Sequence, residues 1–145
     1  MPDIWETTSS TPQTEAVAAR LVSVVTAPMV VLLEGALGAG KTTFVRGFVR
    51  ALPGGRDVVV QSPTFALARR YATTPPVRHL DLYRLHDQAG AVNTVQELGL
   101  DDDDDDGEAI TFVEWPVRGA WAGPVVRVAI EILSVRRRRL RIQLP

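Results

Sequence analysis

The chain has 145 residues and a single lysine, Lys41, against 15 arginines. Arginine serves wherever a positive charge alone is enough. The exception lies inside Gly35-Ala36-Leu37-Gly38-Ala39-Gly40-Lys41-Thr42. A compact ammonium fits under a chain of phosphates, and a planar guanidinium does not replace it there. The octapeptide matches G-x-x-x-x-G-K-[ST], the phosphate loop of nucleotide-binding proteins. Before it, Met29-Val30-Val31-Leu32-Leu33 is a short apolar run that reads as a buried parallel strand. Behind it, Phe44, Val45, Phe48, Val49 and Leu52 recur at helical spacing, and Pro53-Gly54-Gly55 stops the helix. Strand, glycine loop and helix are the setting in which backbone N–H groups and a helix N-terminus hold phosphate.

The remaining pattern predicts an α/β fold: a P-loop NTPase-like three-layer domain spanning residues 1–145, with a mixed, partly parallel central sheet. Thr11-Pro12 reads as an N-cap and first helical residue, opening a helix that ends before Pro28. Val58-Val59-Val60 reads as a short strand, and 65–71 as extended. Residues 77–83 read as a strand, 84–100 as loop plus a short helix, and Ile110 to Glu114 as a strand. Val126, Val128, Ile130 and Ile132 alternate with Arg127 and Glu131. Leu140, Ile142 and Leu144 alternate with Arg139 and Arg141. Together these two stretches predict a C-terminal antiparallel hairpin with one buried face.

Composition narrows the function classes. No cysteine is present, which excludes disulfides and thiolate metal sites. No apolar run approaches the ~18 residues of a membrane span. The first residues lack a basic and an apolar signal region, so a cytoplasmic protein is expected. The net charge of −1 hides blocks: without the run Asp101 to Asp106 the balance would be +5. That run lacks the ligand spacing of a calcium loop and reads as solvated. Arg136 to Arg139 reads either as a solvated hairpin turn or as a contact for RNA or a nucleotide base.

Hydrolysis needs a metal ion and a positioned water in addition to a phosphate loop. Thr42 is the expected Mg²⁺ ligand of the loop. Glu114, ending Ile-Thr-Phe-Val, is assigned to the metal. Asp81, ending Val-Arg-His-Leu, is assigned to orienting the water or supporting the metal shell. For each, a surface or salt-bridged strand-end acid is the open alternative. Ser62-Pro63-Thr64 could sense the γ-phosphate or be a simple turn. His79 reads as a structural strand residue, and Arg84 is the one arginine considered as a finger in cis. No N-K-x-D guanine motif can exist with one lysine, so ATP is preferred over GTP.

Several segments together resemble one family. They are Gly35 to Thr43, Ser62-Pro-Thr-Phe65, His79-Leu-Asp-Leu-Tyr-Arg-Leu85, Glu97-Leu-Gly-Leu100 and Phe112-Val-Glu-Trp-Pro116. In order and spacing the chain resembles the TsaE (YjeE) family of bacterial tRNA-modification ATPases. The resemblance implies an ATPase working with TsaB and TsaD to install threonylcarbamoyl on the adenosine beside the anticodon, with tRNA an indirect partner through that complex. It implies that Gly38, Ala39, Gly40, Lys41, Thr42 and Thr43 hold the phosphates. It also implies that Thr42 and Glu114 bind Mg²⁺, that Asp81 is the catalytic acid, and that Thr11 approaches the nucleotide. Lys41, Asp81 and Glu114 are the expected catalytic set. The family usually has an acid where this chain has Ala36. An ATP-dependent switch module with incidental hydrolysis and a small P-loop kinase are the alternative functions.

Overall fold

A computed structural model describes residues 2–101 and 107–145. Seven strands form one mixed sheet. In chain order the elements are β1 (Ile4–Thr8), α1 (Thr11–Arg20), β2 (Met29–Glu34), α2 (Lys41–Ala51), β3 (Ala68–Tyr71) and β4 (Val77–Asp81). They continue with α3 (Ala91–Glu97), β5 (Ile110–Glu114), β6 (Val125–Ile132) and β7 (Arg138–Gln143). The spatial order is β1-β7-β6-β2-β5-β4-β3. The inner strands β6, β2, β5 and β4 run parallel, while β1, β7 and β3 add antiparallel edges. The expected α/β class, the partly parallel sheet and the C-terminal hairpin are all present.

Alternating side chains on the central strands go to opposite layers, as the period-2 pleat dictates. Val31 and Leu33 of β2 join Phe44, Val45, Phe48 and Phe112 under α1 and α2. Leu32 faces the other way, with Leu80, Leu82, Val95 and Val113 under α3. Phe48 meets Phe112 edge-on, with ring centroids 5.0 Å apart, which seats α2 on β5. Because both faces are covered, β4 and β5 are buried along their whole length, including the polar residues His79, Asp81 and Glu114.

Helix α1 crosses α2 at Gly47, where a Cβ would lie 2.4 Å from the Glu15 carbonyl oxygen and 2.5 Å from its Cα. The contacts are backbone, so they cannot swing away. Gly47→Ala is therefore expected to destabilise the protein by about 2 kcal/mol through overpacking. Thermal unfolding followed by circular dichroism checks this, and an unchanged midpoint would refute the close crossing.

Three sequence expectations are corrected. Ser10, not Thr11, caps α1: its extended backbone lets its side chain accept from Gln13 N–H at 3.2 Å, and Pro12 sits one position deeper. Gln13 answers by accepting from Ser9 N–H at 2.6 Å. The arrangement is close to a capping box, which a Ser/Thr cluster leaves free to choose its register. Residues 58–60 form no strand: they join no ladder, and Val58 N–H donates to the Gly55 carbonyl at 3.1 Å in the turn that ends α2. Extension over 65–71 begins only at Ala68, after a turn in which Leu67 N–H donates to Pro63 and Leu67 takes φ 65°. Strand β1, which pairs Ile4 with Ile142 of β7, had no sequence expectation. The Asp run lies outside the described residues from Asp102 onward.

Candidate nucleotide and metal site

Parallel pairing of β4, β2 and β5 brings their carboxyl ends to one edge, the place where open α/β sheets bind ligands. Register aligns Asp81 with Glu114 and Glu114 with Leu33, one residue before the end of β2. The phosphate loop leaves β2 there and enters α2 through Gly40, whose φ of 112° lies in the left-handed region that glycine favours. A cavity of about 480 Å³ opens at this edge, lined by Gly38 to Thr43 on one side and by Ser62, Thr64, Asp81, Glu114 and Trp115 on the other.

Lys41 is 5% exposed. Its ammonium donates to the Gly35 carbonyl and, at 3.2 Å, to that of Ala36. It also lies 3.8 Å from the centroid of the Trp115 ring. Burial pushes this ammonium below the ordinary lysine range, and the charges of Glu114 and Asp81 oppose that shift. Thr42 Oγ1 donates to Glu114 Oε2 at 2.8 Å. The two residues assigned to a metal are thus in direct contact, though 72 positions apart in sequence.

Asp81 faces the same cavity with both oxygens engaged. Oδ2 accepts from the hydroxyls of Ser62 and Thr64, the latter at 3.2 Å, and Oδ1 accepts from Tyr83 N–H at 3.0 Å. Asp81 therefore anchors the Ser62–Thr64 segment. Phe65, next in the chain, is exposed and carries the Arg84 guanidinium 4.4 Å from its ring centroid. Arg84 is stacked there, at the outer side of that segment.

Thr11 sits elsewhere, in a second cavity of about 350 Å³ on the opposite flank of the loop. Thr11, Gly38, Gly40, Thr43, Val135 and Arg136 line it. The phosphate loop is the wall between the two cavities. Ala36 is exposed, so the absent acid would stand on the solvent side of the loop, with Lys41 bound to the Ala36 backbone behind it.

Sequence reasoning missed two contributors. Trp115, read only as part of a motif, holds φ 55° and packs against Tyr83 and His86, with centroids 4.9 and 5.0 Å away. Left-handed backbone in a bulky residue is rare, and it aims the ring at Lys41. Arg138 does not belong to a uniformly solvated run. Its Nε donates to the Ala39 carbonyl at 2.9 Å and its guanidinium reaches Gly38 O at 3.2 Å. Arg139 pairs with Glu131 and Arg141 with Asp3. Arg138 pins the loop from 100 residues away. Arg138→Ala is expected to weaken ADP binding about fivefold, the equivalent of one net hydrogen bond of about 1 kcal/mol, since the contact acts on the loop and not on the nucleotide. Calorimetric titration with ADP reads the effect, and an unchanged affinity would show the contact to be idle.

Residues 8–141 match the family model described as threonylcarbamoyl adenosine biosynthesis protein TsaE. The chain belongs to the TsaE family. It is 38% identical over 113 residues to the tRNA threonylcarbamoyladenosine biosynthesis protein TsaE of Bacillus subtilis, covering 77% of this chain and 65% of that one. It is 40% identical over 133 residues to the protein of that name in Mycobacterium leprae, covering 88% and 78%. The crystal structure of Bacillus subtilis YdiB superposes with a TM-score of 0.75 at 25% identity, covering 99% of this chain and 86% of that one. The TsaE match spans the phosphate loop, both strand-end acids and most of the hairpin that carries Arg138. Among the described residues no helix is long and apolar enough to cross a membrane. No cluster of three or more His, Asp or Glu forms a ready-made metal cage among them either.

Proposed function

We propose that this chain is a Mg²⁺-dependent ATPase that supports threonylcarbamoylation of tRNA adenosine through a TsaB–TsaD complex. The observation that carries the reading is the convergence of Lys41, the Thr42–Glu114 pair and Asp81 on one cavity. In it, the amides of Gly38 to Thr43 and the N-terminus of α2 cradle the phosphates, and the Lys41 ammonium leaves its loop carbonyls for phosphate oxygens. The second cavity beside Thr11 and Arg136 takes the nucleoside end, on the far side of the loop from the acids.

The donor set fits magnesium. One hydroxyl and one carboxylate are hard oxygen ligands, and Mg²⁺ typically takes one or two protein oxygens while phosphates and water fill its shell. Bound there, the ion would neutralise charge on the transferring phosphoryl group. Asp81 orients the attacking water once a γ-phosphate draws the Ser62 and Thr64 hydroxyls away from its Oδ2. All these parts hang on one seven-stranded sheet, which supports a single working domain.

The test is ATP turnover and tRNA threonylcarbamoylation measured with and without TsaB and TsaD. Hydrolysis stimulated by the partners, with modification that requires the chain, is expected. Modification proceeding at full rate without the chain would refute the reading. The grip of Asp81 on two loop hydroxyls favours one alternative, a switch in which ATP reorders 62–65 and hydrolysis is incidental. A variant that binds ATP without hydrolysing it yet sustains repeated rounds of modification would decide for the switch.

A further inference from the structure

His79 lies mid-strand in β4, opposite Phe112 of β5, with no exposure at all. An apolar residue would fill such a position without the cost of desolvating two ring nitrogens. Both nitrogens are engaged. Nε2 is 2.6 Å from Glu114 Oε2, the same oxygen that accepts from Thr42. A bare lone pair facing a carboxylate oxygen at that distance is repulsive, so Nε2 carries a proton and donates it. Nδ1 is 3.0 Å from the Tyr71 hydroxyl, which also reaches the Gln61 carbonyl at 3.2 Å. Burial pushes the Tyr71 phenol above its ordinary range, so the hydroxyl keeps its proton. The rings of Tyr71 and His79 are packed with centroids 5.9 Å apart. The result is a buried chain from the Gln61 backbone through Tyr71 and His79 to Glu114, arriving from behind the cavity.

We propose that His79, oriented by Tyr71, is a positioning residue that holds the Glu114 carboxylate for the metal ion. The proposal rests on the reading of Thr42 and Glu114 as the metal ligands. Mg²⁺ tolerates little departure from octahedral geometry, so a carboxylate free to rotate binds it less well. The Thr42 hydroxyl can donate to Oε2 and still turn a lone pair to an ion, but it grips the carboxylate from the ion's own side. The imidazole holds the same oxygen from behind, out of the buried strand, and so fixes the carboxylate's orientation. Outer partners of this kind are worth about 10- to 100-fold in metal affinity.

The experiment titrates Mn²⁺, followed by electron paramagnetic resonance, into the ADP-loaded protein, and measures ADP binding in EDTA by calorimetry. His79→Phe is expected to weaken Mn²⁺ binding at least about 10-fold, while metal-free ADP affinity stays within about twofold, because no phosphate contact passes through His79. His79→Gln, whose amide N–H₂ donates from the Nε2 position, is expected to restore most of the loss. Mn²⁺ affinity unchanged in His79→Phe would overturn the proposal. So would His79→Gln behaving no better than His79→Phe, since shape rather than donation would then matter. If His79→Phe does not fold by circular dichroism, Tyr71→Phe carries the test. A weakening of about threefold supports the orienting chain, and an unchanged affinity overturns it. Glu114→Gln separates the two readings. Unchanged Mn²⁺ affinity there sinks the metal assignment itself, whereas lost affinity there beside an unaffected His79→Phe sinks only the positioning role.

Discussion

Lys41→Arg is expected to cut ATP hydrolysis at least about 100-fold, although it preserves charge. The chain uses arginine at every other basic position, so the substitution tests whether position 41 needs a shape. The ammonium is enclosed by the Gly35 and Ala36 carbonyls and by the Trp115 ring 3.8 Å away. A guanidinium is wider and planar, and its donors fork outward rather than converging on one point. It would either displace Trp115 from its left-handed backbone position or turn out of the cavity. Losing a donor aimed at developing phosphoryl charge costs about 3 kcal/mol in comparable sites. Steady-state turnover alongside ADP calorimetry is the measurement. An arginine variant hydrolysing within about threefold of the parent would show that charge alone suffices.

For Asp81→Asn the expected loss in turnover is about 100-fold or more, the usual scale for a group that positions or deprotonates the attacking water. MgADP affinity should stay within about threefold, because no phosphate donor is removed. Asparagine is chosen over alanine for a geometric reason. Its side chain still reaches Ser62, Thr64 and the Tyr83 N–H, so the loop anchor is largely kept while the charge is lost. Equal turnover in the variant and the parent would reduce Asp81 to a structural anchor. Single-turnover kinetics with ATP, with and without TsaB–TsaD, distinguish a slowed chemical step from slowed product release.

How much of this was legible in the residues varies with the range of the interaction. Strand β5 was readable from Ile110 to Glu114 because a short apolar run closed by an acid is a local signal. The hairpin was readable from its alternation, and α2 from its spacing. Residues 58–60 misled because β-branched side chains favour extension whether or not a partner strand is available. Strand β1 was invisible for the opposite reason. Ile4 to Thr8 is a weak, half-exposed run, and it becomes a strand only because β7 offers it an edge. His79 shows the limit most sharply. Its place on a buried strand was readable, but its ring is aimed by the register of β4 against β5, which no periodicity in either strand encodes.

The sequence alone determined the parts whose geometry is set within a few bonds. Eight consecutive residues dictate a loop that turns its amides inward and starts a helix, and the apolar run before Glu114 dictates a strand that ends in that acid, whereas the strand read over 77–83 stops at Asp81. Only the tertiary structure decided which groups meet. It joined Thr42, Glu114, His79 and Tyr71 into one hydrogen-bonded chain, placed Trp115 over Lys41, and laid Arg138 across the back of the loop. The reason is physical. These contacts depend on strand order and register, which are fixed by burying both faces of a seven-stranded sheet at once, and that condition belongs to the whole chain rather than to any segment.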